Sequence, residues 1–153
     1  MNLENTMSQY WQAYSRHDLE AVLGYLSDDV VIQFPTSAQP SRGKHHIRPV
    51  WSILFSTVIP DVRQEVVTTV IHGDTAACEF IETGTLHLPE GVAGSLSAGG
   101  RPYTMDMASF FHFDDTGLID RIRSYWDTGS FAEQIGIDIG VIRSMQSRAH
   151  TTA

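Results

Sequence analysis

The sequence predicts an α+β domain in which a curved antiparallel sheet wraps around N-terminal helices and leaves a central pocket. Three observations lead there. Helical periodicity dominates the chain up to residue 57, and strand alternation takes over from residue 62 to residue 126. The strands are separated by tight-turn chemistry of the kind that makes hairpins. Helices grouped against strands that fold back on themselves give α+β rather than a parallel α/β sheet. The 153 residues suit one domain, with 1–136 as the patterned unit and 137–153 as a weakly patterned tail.

Each element follows from its residues. Over 6–26, Tyr10, Ala13, Tyr14, Val22, Leu23 and Leu26 recur near helical spacing. The pattern breaks at Ser15–Asp18, where Asp18 is a good N-cap for a second helix from Leu19 to Leu26. Asp28 and Asp29 end that helix, and Val30–Phe34 reads as a strand stopped by Pro35. Residues 35–43 are a polar, Pro- and Gly-containing loop. Helix returns over 44–57, with Ile47, Val50, Trp51 and Leu54 on one face, until Pro60 and Asp61 close it. Strands then occupy 62–72 and 75–88 around a His72-Gly73-Asp74 turn. The Gly- and Pro-rich stretch 89–102 reads as a long loop, either a lid over the pocket mouth or a plain connection. Strands 103–113 and 118–126 flank the hairpin signal Asp114-Asp115-Thr116-Gly117, and Phe131–Gln134 forms a short closing helix.

Composition excludes several classes. A formal net charge of −8 argues against nucleic acid, which needs a basic patch, and against anionic membranes. The densest basic cluster, Arg42 to Arg48, reads as a loop and helix start. A single cysteine, Cys78, permits no intrachain disulfide; it lies in an apolar run and fits a reducing, cytoplasmic setting. No signal peptide and no membrane-spanning run is expected. The seven histidines show no metal spacing, and no phosphate loop, dinucleotide fingerprint or nucleophile elbow is present. No metal and no cofactor is implied.

Strand alternation sorts the side chains. Cys78, Phe80, Glu82 and Gly84 share one face of their strand; Met105, Met107, Ser109 and Phe111 share one face of the next; Ile122, Ser124 and Trp126 share one face of the last. Glu82 is the carboxylate in an otherwise apolar set. Desolvation there makes it a candidate acid or base, or else a structural acceptor for an Arg or Tyr. Asp106 is outward by parity, and Asp127 is out of phase with Trp126: it either enters the pocket through a bend at the strand end or caps the following helix.

Several motifs in order carry a family resemblance: Tyr10-Trp11-Gln12-Ala13-Tyr14, Asp18-Leu19-Glu20, Leu26 to Val30, Gly43 with Ile47-Arg48, Phe111 to Ile119, Tyr125-Trp126-Asp127 and Glu133 to Gly136. The chain resembles the NTF2-like proteins, and within them the SnoaL-like polyketide cyclases, over most of its length. The resemblance implies a cone-shaped fold whose pocket is lined by the inward faces above. It makes Asp127 the general acid/base at the end of the last strand; Glu82, from its inward place among apolar residues, is the second catalytic candidate. Tyr10, Tyr14, Phe34, Trp51, Phe80, Met105, Met107, Ser109, Phe111, Ile122, Ser124 and Trp126 are then the expected substrate-binding set. It also implies a homodimer through the outer sheet face. Ketosteroid isomerase activity does not carry over. Tyr10 matches the oxyanion-hole tyrosine of that family, but Phe34 and Ser109 stand where its two aspartates belong. The limonene-type epoxide hydrolases resemble the same fold, yet Ser124 stands where their water-activating aspartate is expected.

The sequence therefore points to a cofactor-independent cyclase, isomerase or dehydratase. Its expected substrate is a compact apolar molecule of polyketide or terpenoid type from secondary metabolism. The alternative is a non-catalytic small-molecule-binding or assembly domain, and the discriminating feature is whether ionisable groups converge on the inner face.

Overall fold

The computed structural model describes residues 2–88 and 99–149. Helix α1 (Leu3–Ser15) starts where the Asn2 side chain accepts from the Asn5 amide at 3.0 Å. It buries Met7, Tyr10, Trp11, Ala13 and Tyr14 on one face. His17 breaks the helix by adopting φ 53°, a left-handed conformation that costs a side-chain-bearing residue free energy. Its ring offsets that cost: Nε2 donates to the Val62 carbonyl at 2.7 Å, and the imidazole stacks on Phe55 at 5.1 Å. Asp18 then caps α2 (Leu19–Gly24) through the Ala21 amide.

Strand β1 (Leu26–Gln33) begins earlier than its alternation suggests and contains Asp28 and Asp29, with a bulge between Leu26 and Val31. The polar 35–43 segment holds a two-residue strand, β2 (Ser41–Arg42), paired with β1. Helix α3 (Lys44–Ile53) carries Pro49 and widens into a π turn (Leu54–Val58), closed by the Ile59 amide on the Leu54 carbonyl at 2.9 Å. Strands β3 (Arg63–His72), β4 (Thr75–Leu86), β5 (Arg101–Phe113) and β6 (Ile119–Trp126) follow. Helix α4 (Thr128–Ile135) closes on Gly136, whose φ of 65° suits a residue without a Cβ. The stretch read as a weakly patterned tail forms helix α5 (Ile139–Ala149), which buries Ile142.

The sheet runs in the order β2-β1-β6-β5-β4-β3. The β3–β4, β4–β5 and β5–β6 pairs are antiparallel, as the hairpin signals require, but β1 lies parallel to β6. The helices pack on the inner face, where Trp11 meets Phe80 at 5.0 Å and Tyr10 meets Phe111 at 5.4 Å. The fold is therefore the predicted mixed α+β architecture with a curved, unclosed sheet.

The outer face carries a band of apolar and aromatic side chains. Val70, Ala77, Phe110 and Arg123 form one cross-strand row; Glu79, Ala108 and Tyr125 belong to the next. Val70, Phe110 and Tyr125 are exposed; Phe110 meets Tyr125 edge-on at 6.1 Å, and the Arg123 guanidinium lies over Tyr125. At one end of this face His112 sits between Asp120 (2.6 Å) and Asp74 (3.3 Å), tying the β3–β4 turn to β6. No helix among the described residues is long and apolar enough to cross a membrane.

Candidate active site

The chemistry of the inner face centres on Glu82, the only buried charged side chain among the described residues. Alternation on β4 aims it inward between Phe80 and Gly84, opposite Met105 on β5 and Gln64 on β3. Both oxygens accept a hydrogen bond: Tyr103 Oη donates to Oε1 at 2.9 Å, and Gln64 Nε2 donates to Oε2 at 2.5 Å. Burial pushes the Glu82 carboxyl above the usual carboxylate range, against the opposing pull of the Gln64 and Tyr103 donors. The reading of Glu82 as an acceptor for a tyrosine is therefore realised, and so is the desolvation that makes it a candidate acid or base.

Tyr103 reaches Glu82 because its cross-strand partner is Gly84. A Cβ at that position would collide with Ile59 and come within 3.1 Å of the Tyr103 hydroxyl. Phe131 of α4 packs edge-on against the Tyr103 ring at 5.0 Å. Burial, followed by the negative charge of Glu82, pushes the Tyr103 phenol far above its ordinary range. Tyr14 completes the cluster from α1, its phenol raised first by burial and then by Glu82. Trp51 (6.3 Å) and Phe55 (5.0 Å) wall off Tyr14 edge-on, and the π turn is what presents Phe55. Glu82 and Tyr103 thus meet through a hydrogen bond, and Tyr14 lies near enough for the Glu82 charge to raise its phenol.

Asp127 does not join them. Its Oδ1 accepts the amides of Gly129 (2.9 Å) and Ser130 (3.2 Å), it caps α4, and it is exposed. Two free amides at a helix start are a better partner for a carboxylate than an apolar face. Of the two roles open to it, Asp127 takes the cap, with an extended backbone at φ −80° and ψ 98°. The general acid/base pair of Asp127 with Glu82 is therefore not assembled.

The expected binding residues fall into two groups. Tyr10, Phe80, Phe111 and Ile122 are packed into the deep core, all 4% exposed or less. Burial also drives the Tyr10 phenol well above its ordinary range, and its ring spends its surface on Trp11, Tyr14, Tyr25 and Phe111. The second group shares the inner face with Glu82: Tyr14, Trp51, Met105, Met107, Ser109 and Ser124 are buried there, and Phe34 and Trp126 meet half-buried at 5.5 Å. Ser109 and Ser124 share one hydrogen bond at 2.7 Å, so Ser124 is committed to a hydroxyl neighbour. Cys78 is buried, its thiol pushed up by desolvation, and it touches the Thr69 hydroxyl, as a packing residue does. Most of the loop expected over the mouth, 89–98, lies outside the described residues.

Tyr103 and Gln64 were not among the expected site residues. Parity on 103–113 puts Tyr103 on the face of Met105 and was the available signal; the glycine opposite it emerges only with the β4–β5 register. Gln64 had none, because its role depends on the β3–β4 register. An open cleft of about 680 Å³ between α1 and β3, lined by Met7, Trp11, Arg16, Val66, Thr69 and Ile71 among others, includes none of the expected binding residues.

Comparison with known protein families matches residues 7–122 to the SnoaL-like domain. A curved sheet around α1 and α3, with convergent groups on its inner face, is the architecture of that NTF2-like class. The chain belongs to the SnoaL-like domain family. No curated protein matches the sequence. Among solved structures, it is similar to IdmH from Streptomyces antibioticus, a proposed polyketide cyclase: 24% identity, 90% of this chain and 100% of that chain covered, TM-score 0.71. A proposed polyketide cyclase from Silicibacter sp. TM1040 shares 25% identity over 87% of this chain and 94% of that one, TM-score 0.69. A protein of ketosteroid isomerase-like fold from Catenulispora acidiphila DSM 44928, solved with trimethylamine, shares 16% identity over 88% and 95%, TM-score 0.69.

Proposed function

We propose that this chain is a cofactor-independent acid–base enzyme that cyclises, isomerises or dehydrates a compact apolar molecule of polyketide or terpenoid type. Glu82 is the group that exchanges a proton with the substrate. The observation that carries this reading is the position of Glu82 itself: a lone carboxyl held on both oxygens within a buried aromatic surround. A carboxyl raised by burial is a stronger proton acceptor than an ordinary carboxylate once ionised, and a proton donor over a wider pH range. Tyr14, Trp51, Met105, Met107, Ser109 and Ser124 supply the surface that orients an apolar substrate, with Phe34 and Trp126 beside it. Similarity to proposed polyketide cyclases supports the substrate class. The enzyme works as a homodimer joined through the band of Val70, Phe110 and Tyr125, in a reducing compartment that suits the unpaired Cys78.

The second reading, a non-catalytic binding domain, draws on the loss of Asp127 to the α4 cap. Proton exchange separates the two. The α-hydrogens of 2-acetylcyclohexanone, a neutral 1,3-dicarbonyl probe, are followed by NMR in D₂O. The wild-type protein is expected to accelerate exchange, and Glu82→Gln to lose about 10²-fold or more of that acceleration. Equal rates for the two proteins would leave the binding-domain reading in place.

A further inference from the structure

We infer that Tyr103 is the hydrogen-bond donor to the substrate, released for that task when Glu82 takes up a proton, and that Gln64 is the positioning residue fixing which carboxyl oxygen receives it. The inference rests on the acid–base reading of Glu82 and deepens it.

The argument is one of hydrogen inventory. A carboxylate only accepts, so in the ionised state the single Tyr103 hydroxyl hydrogen is committed to Oε1 at 2.9 Å. Oε2 is held by Gln64, whose amide nitrogen only donates. A proton leaving a substrate carbon therefore belongs on Oε1. Once there, it needs an acceptor, and the phenol oxygen 2.9 Å away is the one in place. The bond reverses: Glu82 donates and Tyr103 accepts. The phenol hydrogen is then free to turn about the Cζ–O bond toward the inner face.

The step balances. The C–H bond breaks, its proton goes to Glu82 Oε1, and its electron pair forms the enolate C=C bond while the carbonyl oxygen gains negative charge. The Tyr103 hydrogen is released to that oxygen once Glu82 holds the proton, so the bond is made to the enolate and not to the ground-state carbonyl. The phenol donates a hydrogen bond without losing its proton, because its surroundings hold it strongly to the protonated form. The ionisable and polar groups facing this carboxyl are Tyr14 from α1, Gln64 from β3 and Tyr103 from β5; Asp61, before β3, acts on Tyr103; α4 presents Phe131 to the same ring. None of them is a cation.

The test uses the 153-residue chain with [5-¹³C]glutamate, its Glu82 resonance assigned through Glu82→Gln. Removing either donor to the carboxylate should raise the Glu82 titration midpoint, by about one pH unit in Tyr103→Phe and in Gln64→Leu. In the exchange assay, Tyr103→Phe should lower kcat by about 10²-fold with KM nearly unchanged. Gln64→Leu should move the pH midpoint of kcat upward and also lower its plateau, because the proton can then settle on Oε2 while Tyr103 stays bonded to Oε1. An unmoved midpoint in Tyr103→Phe, or a plateau kept at the wild-type level, overturns this inference alone. Absence of exchange by the wild-type protein overturns the acid–base reading and this inference with it.

Discussion

At the scale of single residues, Glu82 is a liability that the fold tolerates. Its folded-state carboxyl is raised by burial above the unfolded value. Below the unfolded value of about 4.3 the group is protonated in both states and costs nothing. As pH rises through the folded value, the unfolded chain ionises freely while the folded chain must ionise against desolvation, so stability falls. Glu82→Gln, which keeps the shape and drops the charge, is therefore expected to exceed wild type in stability near pH 8 and to converge with it near pH 4. Urea denaturation across that range checks it; a difference that does not change with pH would mean the carboxyl carries no burial penalty. Such a penalty, retained at a position where Gln would fit, is what a working acid–base group looks like.

At the scale of elements, the short closing helix explains the division of labour between the two acidic residues singled out in the sequence. Asp127 satisfies two amides at the start of α4, and α4 in turn lays Phe131 on Tyr103 and Gln134 on the Thr104 backbone at 2.8 and 2.9 Å. Asp127→Ala is expected to cost about 1 kcal/mol of stability through the lost cap while leaving the Glu82 titration midpoint in place. Denaturation together with the carboxyl titration measures both; a shifted midpoint would show that Asp127 acts on the site after all. The sequence made α1, β3 to β6 and the inward faces legible because their periodicities are local. It did not reveal the parallel β1–β6 pairing, since alternation says which face a residue takes but not which strand lies beside it. It also left Asp127 open between two roles, because a strand-end aspartate next to a helix start fits a site and a cap equally well. The helix in 139–149 has no long apolar stripe to announce it: among its described side chains Ile142 is buried, and Ile139 and Val141 are half-buried.

At the scale of the whole molecule, the inner face is filled by helices while the outer face keeps an aromatic band facing water. Exposed Phe110 and Tyr125, flanked by Arg123 and Glu79, form an apolar centre with a charged rim, as association surfaces do. Sedimentation at micromolar concentration is expected to show a dimer, and Phe110→Lys is expected to yield a folded monomer, since the side chain is 47% exposed. A wild-type chain that sediments as a monomer would remove this face from the proposed function.

The sheet also seats its first long strand against its last, joining Leu26 to Ile119 and Gln33 to Arg123. Nearly the whole chain must exist before that seam can close, and closing it carries the loop entropy of everything between. Pairings so distant along the chain slow folding relative to a fold built from local contacts. During synthesis, β1 leaves the ribosome without the neighbour it will keep, and Leu26, Val30 and Ile32, all buried in the finished protein, wait uncovered until β6 arrives. The seam that shapes the finished cone is thus also the stage at which a nascent chain is most open to aggregation or to a chaperone.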